Sequence, residues 1–347
     1  MLPGRHAVPL SLGLLLAATA CGAPPSTSMP GALDGGAADA CCDADPTDAP
    51  PADDVAIPPD DVPTPNDVAD TSGPADAAPD VAQDVPPADP EACNLHRALC
   101  DRAYNDVAYA TTHNAFSNEE DGWIAPNQRV PMPRQLAQGV RGLMLDFHYD
   151  EGVAHLCHGT CLAGKKPLVD GLAEITTFLN AHPREVVTLI LEVYVEPEDV
   201  RAAFEASGLL EMVYVRDPAV GWPTLRTMIE ANTRVVVFTD DAGGTFPWYH
   251  DVWDYNVETH FSVAAPEDFT CLPNRGRRGA DLLILNHFIS DPFPRPRYAE
   301  VVNLNPFLIG RARTCAEELD HLPNFVTVDF QTIGDVLEAV GLLNGVE

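Results

Sequence analysis

Three polar side chains that can transfer protons or bind ions follow strand-like runs in the first half of the chain. His113 comes directly after the run 107–112, Asp146 closes a run that begins at residue 142, and His158 follows a third run. Histidine suits proton transfer near neutral pH because its unperturbed pKa is about 6.5. Parallel barrels place their active sites at the ends of consecutive strands. The spacing therefore predicts an acid–base site at one end of a barrel.

The elements that must position these groups alternate between strand-like and helix-like patterns. The runs 186–191 and 235–238 are almost wholly apolar, which suits strands covered on both faces, as in parallel sheets. The predicted strands are Val107–Thr112, Gly142–Phe147, Val153–Cys157, Val186–Val193, Arg234–Thr239, Asp281–Asn286 and Phe325–Asp329, with Met212–Val215 as an eighth candidate. The predicted helices are Val169–Asn180, Pro197–Ser207, Thr224–Asn232, Tyr298–Leu319 and Ile333–Leu343. This alternation predicts an α/β barrel.

Residues 1–21 have the composition of an export signal. A basic start at Arg5 precedes a short apolar run over 10–20, which is too short to span a bilayer comfortably. The residues from Ala18 to Cys21 resemble a bacterial lipobox, although Ala18 stands where Leu is usual, and Cys21 would then carry the lipid. This interpretation predicts an outer membrane lipoprotein of the cell envelope. Ordinary signal cleavage nearby, which would give a secreted protein, is the alternative.

Residues 22–92 are predicted to be a disordered tether. They hold sixteen Asp or Glu, no Lys or Arg, and fifteen Pro. Such a stretch cannot bury enough apolar area to offset its ordering entropy, and its prolines and like charges extend it.

The whole chain of 347 residues has a formal charge of −32, which argues against a nucleic acid partner. We expect a monomer with one folded domain over 93–347.

The cysteines indicate disulfides. Three of the nine, Cys21, Cys41 and Cys42, precede the folded domain, and the other six form an even number in an exported chain. Pairing neighbours in sequence gives Cys93–Cys100, Cys157–Cys161 and Cys271–Cys315, one of about fifteen possible connectivities. A metal site on the 157–161 pair is the alternative. For Cys41 and Cys42, an intermolecular disulfide and no role at all stay equally open.

Residues 109–195 resemble the X region of phosphatidylinositol-specific phospholipase C. The shared features are Thr112-His113-Asn114, Gly139-Val140-Arg141 leading to Leu145-Asp146, Cys157-His158-Gly159, and Leu191-Glu192 at the close of a buried strand. Asp329 resembles the acid on the last strand of the family, and Gly334-Asp335-Val336 its closing helix. The resemblance implies a distorted (β/α)8 TIM-type barrel that cleaves a phosphodiester through a neighbouring hydroxyl group.

The resemblance also implies roles for the proton-transferring residues. His113 would be the general base that activates the hydroxyl, and His158 the general acid that protonates the leaving oxygen. Reversing the two roles would let water open a cyclic phosphate. Asp329 is expected to orient His113 by accepting a hydrogen bond from its other ring nitrogen.

The phosphoryl charge has two candidate counterparts. In the eukaryotic branch of the family calcium fills this role, and Asn114, Asp146 and Glu192 match three of its ligand positions, with oxygen donors that suit calcium. Met144 stands at the fourth carboxylate position and is a poor ligand for a hard ion. Secreted bacterial members place an arginine where this chain has His148. A weakly held metal and a catalytic, cationic His148 therefore both stay open.

Three functions fit this pattern. The first is a phospholipase C-type phosphodiesterase acting on phosphatidylinositol or a related membrane lipid. The second is a related barrel phosphodiesterase acting on another lipid or on a glycerophosphodiester. The third is a catalytically inactive surface binding protein. His113, His158 and Asp329 favour an enzyme, whereas Met144 favours the binding protein.

Overall fold

Eight parallel strands curl around an aromatic interior in the computed structural model, which describes residues 89–289 and 293–346. The predicted signal, Cys21, Cys41, Cys42 and the tether up to residue 88 lie outside the described residues. The strands are β1 (Tyr109–Thr112), β2 (Gly142–Asp150), β3 (Val153–Leu156), β4 (Lys166–Pro167), β5 (Val187–Val193), β6 (Val235–Thr239), β7 (Tyr249–Asp251), β8 (Asn256–Thr259), β9 (Pro273–Gly276), β10 (Leu282–Asn286) and β11 (Phe325–Val328).

The parallel strands follow one another around the sheet in the order β7-β6-β5-β2-β1-β11-β10-β8. β9 pairs antiparallel with β8 at one edge, and the β3–β4 hairpin extends from β2. No pairing joins β7 to β8 among the described strands, so the barrel is open there.

The helices are unevenly distributed around the barrel. They are α1 (Met132–Ala137), α2 (Leu168–Ala181), α3 (Pro197–Ala206), α4 (Leu225–Glu230), α5 (Val252–Tyr255), α6 (Pro296–Val302), α7 (Phe307–Leu319) and α8 (Val336–Asn344). Helices of at least six residues connect β1 to β2, β2 to β5, β5 to β6, and β10 to β11. Between β6 and β10 the connections hold no α-helix longer than the single turn α5. A 3₁₀ turn at Pro266–Asp268 and the edge strand β9 complete them. The α/β barrel is therefore distorted on this side.

Side chains of alternate strand residues fill the interior. Tyr109 of β1 packs inward with Phe325 of β11, whereas the next residue, Ala110, joins the cluster beneath α7 and α8. Phe238 of β6 reaches Phe325 across the barrel, with ring centroids 6.3 Å apart. These strands are four places apart in the sheet, so the contact requires the sheet to curl. At Gly142 a Cβ would lie 2.2 Å from the Thr111 hydroxyl, so the interior has no room for a side chain there.

Two predictions of elements are wrong. Met212–Val215 is not a strand: Leu209–Met212 forms a 3₁₀ turn, and Val213 makes only an isolated bridge. Four of the described strands were not predicted, namely β4, β7, β8 and β9. Of these, β8 looks polar because of Asn256 and Glu258, although all four of its residues are buried. The predicted helix 298–319 divides into α6 and α7, because Pro306 lacks an N–H donor and disfavours helical geometry in the residue before it.

The three predicted disulfides are confirmed. Cys93–Cys100, Cys157–Cys161 and Cys271–Cys315 have Cα–Cα distances of 5.1, 5.0 and 5.0 Å. The proposed metal pair at 157 and 161 is therefore a covalent cross-link. Within the described ranges, no helix is long and apolar enough to cross a membrane.

Candidate active site

A pocket of about 740 Å³ opens at the carboxyl ends of the parallel strands. Six strands or the residues just after them contribute polar groups to its wall: His113, Asp146, Glu192, Asp240, Glu258 and Asn286. Side chains alternate along each strand. The same strand face that fills the aromatic interior therefore also carries these polar residues at its carboxyl end.

His113 is held by a carboxylate from the neighbouring strand. Thr112 pairs in register with Val328, so His113 and Asp329 occupy equivalent positions just beyond β1 and β11. The His113 Nδ1–H donates to Asp329 Oδ1 at 3.0 Å, and the Asn127 amide donates to the same oxygen at 2.9 Å. The ring stacks on Phe288, with centroids 3.9 Å apart and planes inclined by 7°. With Nδ1 engaged by Asp329, Nε2 is the ring nitrogen that could transfer a proton.

His158 is backed by a second carboxylate. The antiparallel pairing of Phe147 with Leu156 brings the chain back beside the end of β2, and His158 Nδ1–H donates to Asp146 Oδ2 at 2.8 Å. Asp146 is buried, whereas the His158 side chain is 68% exposed. The hydrogen bond to Asp146 raises the pKa of His158 above its usual value, so it favours the protonated ring that a general acid needs.

Asn114, Asp146 and Glu192 converge on one side of the pocket. Asp146 and Glu192 are paired in register on β2 and β5, and the Asn114 amide lies 3.2 Å from both Asp146 carboxylate oxygens. Burial raises the pKa of Asp146, and the nearby Glu192 charge raises it further. Oxygen donors of this type fit calcium, and two adjacent carboxylates gain from a cation between them.

The protein donor set for a metal is small. Among the residues that the structure describes, no three His, Cys, Asp or Glu side chains form a metal-binding group. Met144 lines the pocket and packs against the aromatic interior, so it adds apolar surface where a further ligand would be expected. Any calcium held by Asn114, Asp146 and Glu192 would therefore take much of its coordination from water and substrate.

His148 lies beside this group but contacts the His158 loop. Its ring stacks on Tyr194 at 4.3 Å, and its Nε2 accepts a hydrogen bond from the Gly159 N–H at 3.3 Å. The Tyr194 hydroxyl in turn donates to Glu192 Oε1 at 2.6 Å. Burial lowers the pKa of His148, which favours the neutral ring. Both observations weigh against His148 as the cation that replaces a metal.

Sequence analysis missed the far wall of the pocket. Arg275 of β9 lies over Trp253, 4.4 Å from the ring centroid, and over Phe261 at 4.7 Å, and its Nε donates to Glu258 at 2.5 Å. Asp240 also lines this space, and burial raises its pKa to about 6. Asp240 could have been found, since it follows a buried apolar strand; Glu258 and Arg275 carried no comparable signal.

Among the described residues, neither the lysine pair at 165 and 166 nor the aromatic loop over residues 246–250 lines the pocket. Lys165 pairs with Asp150, and Lys166 bonds Glu174 at 2.6 Å, so both charges are already matched. In the aromatic loop, Trp248 is buried in the barrel wall, 4.7 Å from the Phe204 ring, and only the neighbouring Trp253 reaches the pocket.

Comparison with known proteins identifies the family. The family model described as PI-PLC X 1 matches residues 99–344. The chain belongs to this family. Two relatives are each 30% identical: PI-PLC X domain-containing protein 1 of Arthroderma benhamiae, over 75% of this chain and 92% of the relative, and a PI-PLC X domain-containing protein of Arabidopsis thaliana, over 70% and 62%.

A third relative and the solved structures complete the comparison. An Arthroderma benhamiae protein named an uncharacterized secreted protein is 28% identical over 75% of this chain and 64% of its own length. A double mutant of phosphatidylinositol-specific phospholipase C from Staphylococcus aureus superposes with a TM-score of 0.51, covering 74% of this chain and 97% of that one at 13% identity. At this identity the likeness concerns the fold, and it confirms the predicted TIM-type barrel.

Proposed function

We propose that the chain is a phosphodiesterase of the phospholipase C type that cleaves phosphatidylinositol or a related phospholipid. The observation that carries this proposal is the pair of carboxylate-backed histidines at one pocket. Asp329 holds His113 and Asp146 holds His158, each through Nδ1, so both Nε2 atoms are left for the substrate. Two oppositely acting proton-transfer groups are what cleavage through a neighbouring hydroxyl requires.

The proposed reaction has two proton transfers. His113 Nε2 takes the proton of a headgroup hydroxyl next to the phosphate, and that oxygen bonds to phosphorus. The bond from phosphorus to the diacylglycerol oxygen breaks, and His158 Nε2 delivers its proton to the departing oxygen. The raised pKa of His158 keeps the proton in place until this step. In a second step with the roles reversed, His158 takes a proton from water, which attacks the phosphorus of the cyclic phosphate. His113 then returns its proton to the headgroup oxygen that leaves as the ring opens.

Calcium is proposed as the counter-charge for the phosphoryl oxygens. Asn114, Asp146 and Glu192 would hold it, and it would supply positive charge where the transition state gains negative charge. The rest of the pocket wall supports the need for a cation. Asp240 and Glu258 add two more carboxyl groups, and the positive charge of Arg275 is already paired with Glu258. The same acidic wall disfavours headgroups that carry additional phosphates.

Export to the cell envelope is also proposed. The confirmed disulfides fit an oxidising compartment. The relative named a secreted protein supports export, and the lipobox-like Cys21 supports a lipid anchor.

Product analysis on a panel of phospholipids tests the function. Purified protein with calcium should release diacylglycerol and a cyclic headgroup phosphate from phosphatidylinositol, and His113→Ala and His158→Ala should each abolish release from the lipid. Release of a non-cyclic product from another lipid would instead favour the related phosphodiesterase. Absence of turnover on every lipid and on glycerophosphodiesters would favour the binding protein.

A further inference from the structure

The loop that carries His158 is exposed but closed at its base. His158, Gly159 and Thr160 are exposed, whereas Cys157 and Cys161 on either side are buried and joined by a disulfide. Both cysteines belong to the apolar cluster that includes Trp123. Gly159 and Cys161 adopt left-handed backbone geometry, with φ of 60° and 59°. The cross-link thus closes a tight turn in which Cys161 has a left-handed backbone conformation that is energetically unfavourable for a non-glycine residue.

His148 supports the middle of the same loop. Its Nε2 accepts from the Gly159 N–H at 3.3 Å, one residue beyond His158. The ring cannot turn freely, because its face stacks on Tyr194 at 4.3 Å and the Tyr194 hydroxyl is bonded to Glu192. β2, which carries His148, and β5, which ends just before Tyr194, therefore buttress the loop from the barrel side.

Burial does little to hold His158 itself. Its side chain is 68% exposed, and its Nδ1 bond to Asp146 at 2.8 Å orients the ring but leaves the backbone of the turn to other contacts. Proton delivery needs the ring within hydrogen-bond reach of the departing oxygen. The position of the turn therefore decides whether the ring can act.

We propose that the Cys157–Cys161 cross-link and the His148 ring are positioning groups that fix the loop carrying His158 for protonation of the leaving oxygen. This inference rests on the proposed function in one respect, namely that His158 is the general acid. Neither group touches the reacting atoms. Misplacement of a reacting group by about 1 Å costs on the order of 10²-fold in rate, so loss of either support should lower kcat by about 10- to 100-fold.

The test compares leaving groups. The variants are the double substitution Cys157→Ser with Cys161→Ser, and His148→Ala. Each is assayed on phosphatidylinositol vesicles and on a nitrophenyl phosphodiester of the same headgroup, whose phenolate leaves without help from an acid. Both variants should lose kcat on the lipid with little change in KM, and should lose little on the nitrophenyl substrate. The reference variant His158→Ala should show the same pattern. Equal loss on both substrates, or no loss on the lipid, overturns the proposal.

Two matched controls separate positioning from general destabilisation. The double substitution Cys93→Ser with Cys100→Ser removes a disulfide at the opposite end of the barrel, where Asn94 bonds Val186 just before β5. It should leave the ratio of the two kcat values unchanged. His148→Gln can still present an acceptor at the ring nitrogen position and should recover most of the lipid activity lost in His148→Ala.

Hydrogen exchange of the peptide 157–162 tests the inference without activity. Exchange of this peptide should be faster in His148→Ala and in the Cys157/Cys161 double variant than in the wild type, and unchanged in the Cys93/Cys100 control. If the wild type turns over neither substrate, the proposed function fails and exchange alone decides the positioning role. If the Cys157/Cys161 double variant does not fold, the His148 variants decide. Unchanged exchange in a folded variant refutes the role of the group removed.

Discussion

Asp329→Asn isolates the charge that supports His113. Asp329 Oδ1 accepts from His113 at 3.0 Å and from the Asn127 amide at 2.9 Å. In the variant, the Asn127 N–H donor favours the side-chain orientation that places the new amide oxygen where Asp329 Oδ1 lies. His113 would then keep its proton on Nδ1 and its Nε2 as the base, while losing the negative charge of the carboxylate beside its ring.

The expected loss follows from that hydrogen bond. Hydrogen bonds to charged groups contribute about 1.5 to 3 kcal/mol, and about 1.4 kcal/mol corresponds to a tenfold change in rate. We therefore expect kcat of Asp329→Asn to fall about 10- to 150-fold. Adding Asn127→Ala removes the preference for one amide orientation. The amide nitrogen can then face His113 Nδ1 and place the ring proton on Nε2, so the double variant should be slower than the product of the two single effects.

The assay is kcat on phosphatidylinositol and on the nitrophenyl phosphodiester, with unfolding temperature as the control for stability. A base acts on the attacking hydroxyl whatever group departs, so Asp329→Asn should lose activity on both substrates. Retention of activity within about twofold on both would refute the orienting role of Asp329. Loss confined to the lipid would place Asp329 with the acid and overturn the assigned roles.

The remaining predictions concern charge, pH and location. Exhaustive chelation should abolish lipid cleavage, calcium should restore it, and Glu192→Gln should require more calcium; full activity in chelator would reject the metal proposal. Because the Asp146 hydrogen bond raises the pKa of His158, the alkaline limb of kcat/KM on the lipid should lie above the usual histidine value of about 6.5. An alkaline limb at or below about 6.5 in the pH–rate profile would contradict this shift. Cys21→Ser should move the protein from the membrane to the soluble fraction, and persistence in the membrane fraction would reject the lipid anchor.

Local patterns were sufficient for six of the eight parallel strands and for the two histidines. Residues 186–191 and 235–238 are almost wholly apolar, as expected for strands covered on both faces. Such a run can be recognised in the sequence without knowing which strands lie beside it. His113 and His158 were found because each directly follows such a run. The three disulfides followed from sequence proximity, since each joins neighbouring cysteines of the folded domain.

The tertiary structure decided which side chains act on one another. Asp146 was predicted as a metal ligand, yet the β2–β3 hairpin also makes it the partner of His158. Asn127 meets Asp329 although 202 residues separate them in the chain. The polar-looking strand β8 is buried because its Glu258 reaches Arg275 and Asn286 inside the barrel mouth. The sequence defines which groups follow each strand, whereas the curl and register of the sheet determine which of those groups meet, because contacts across a barrel join residues that no local pattern relates.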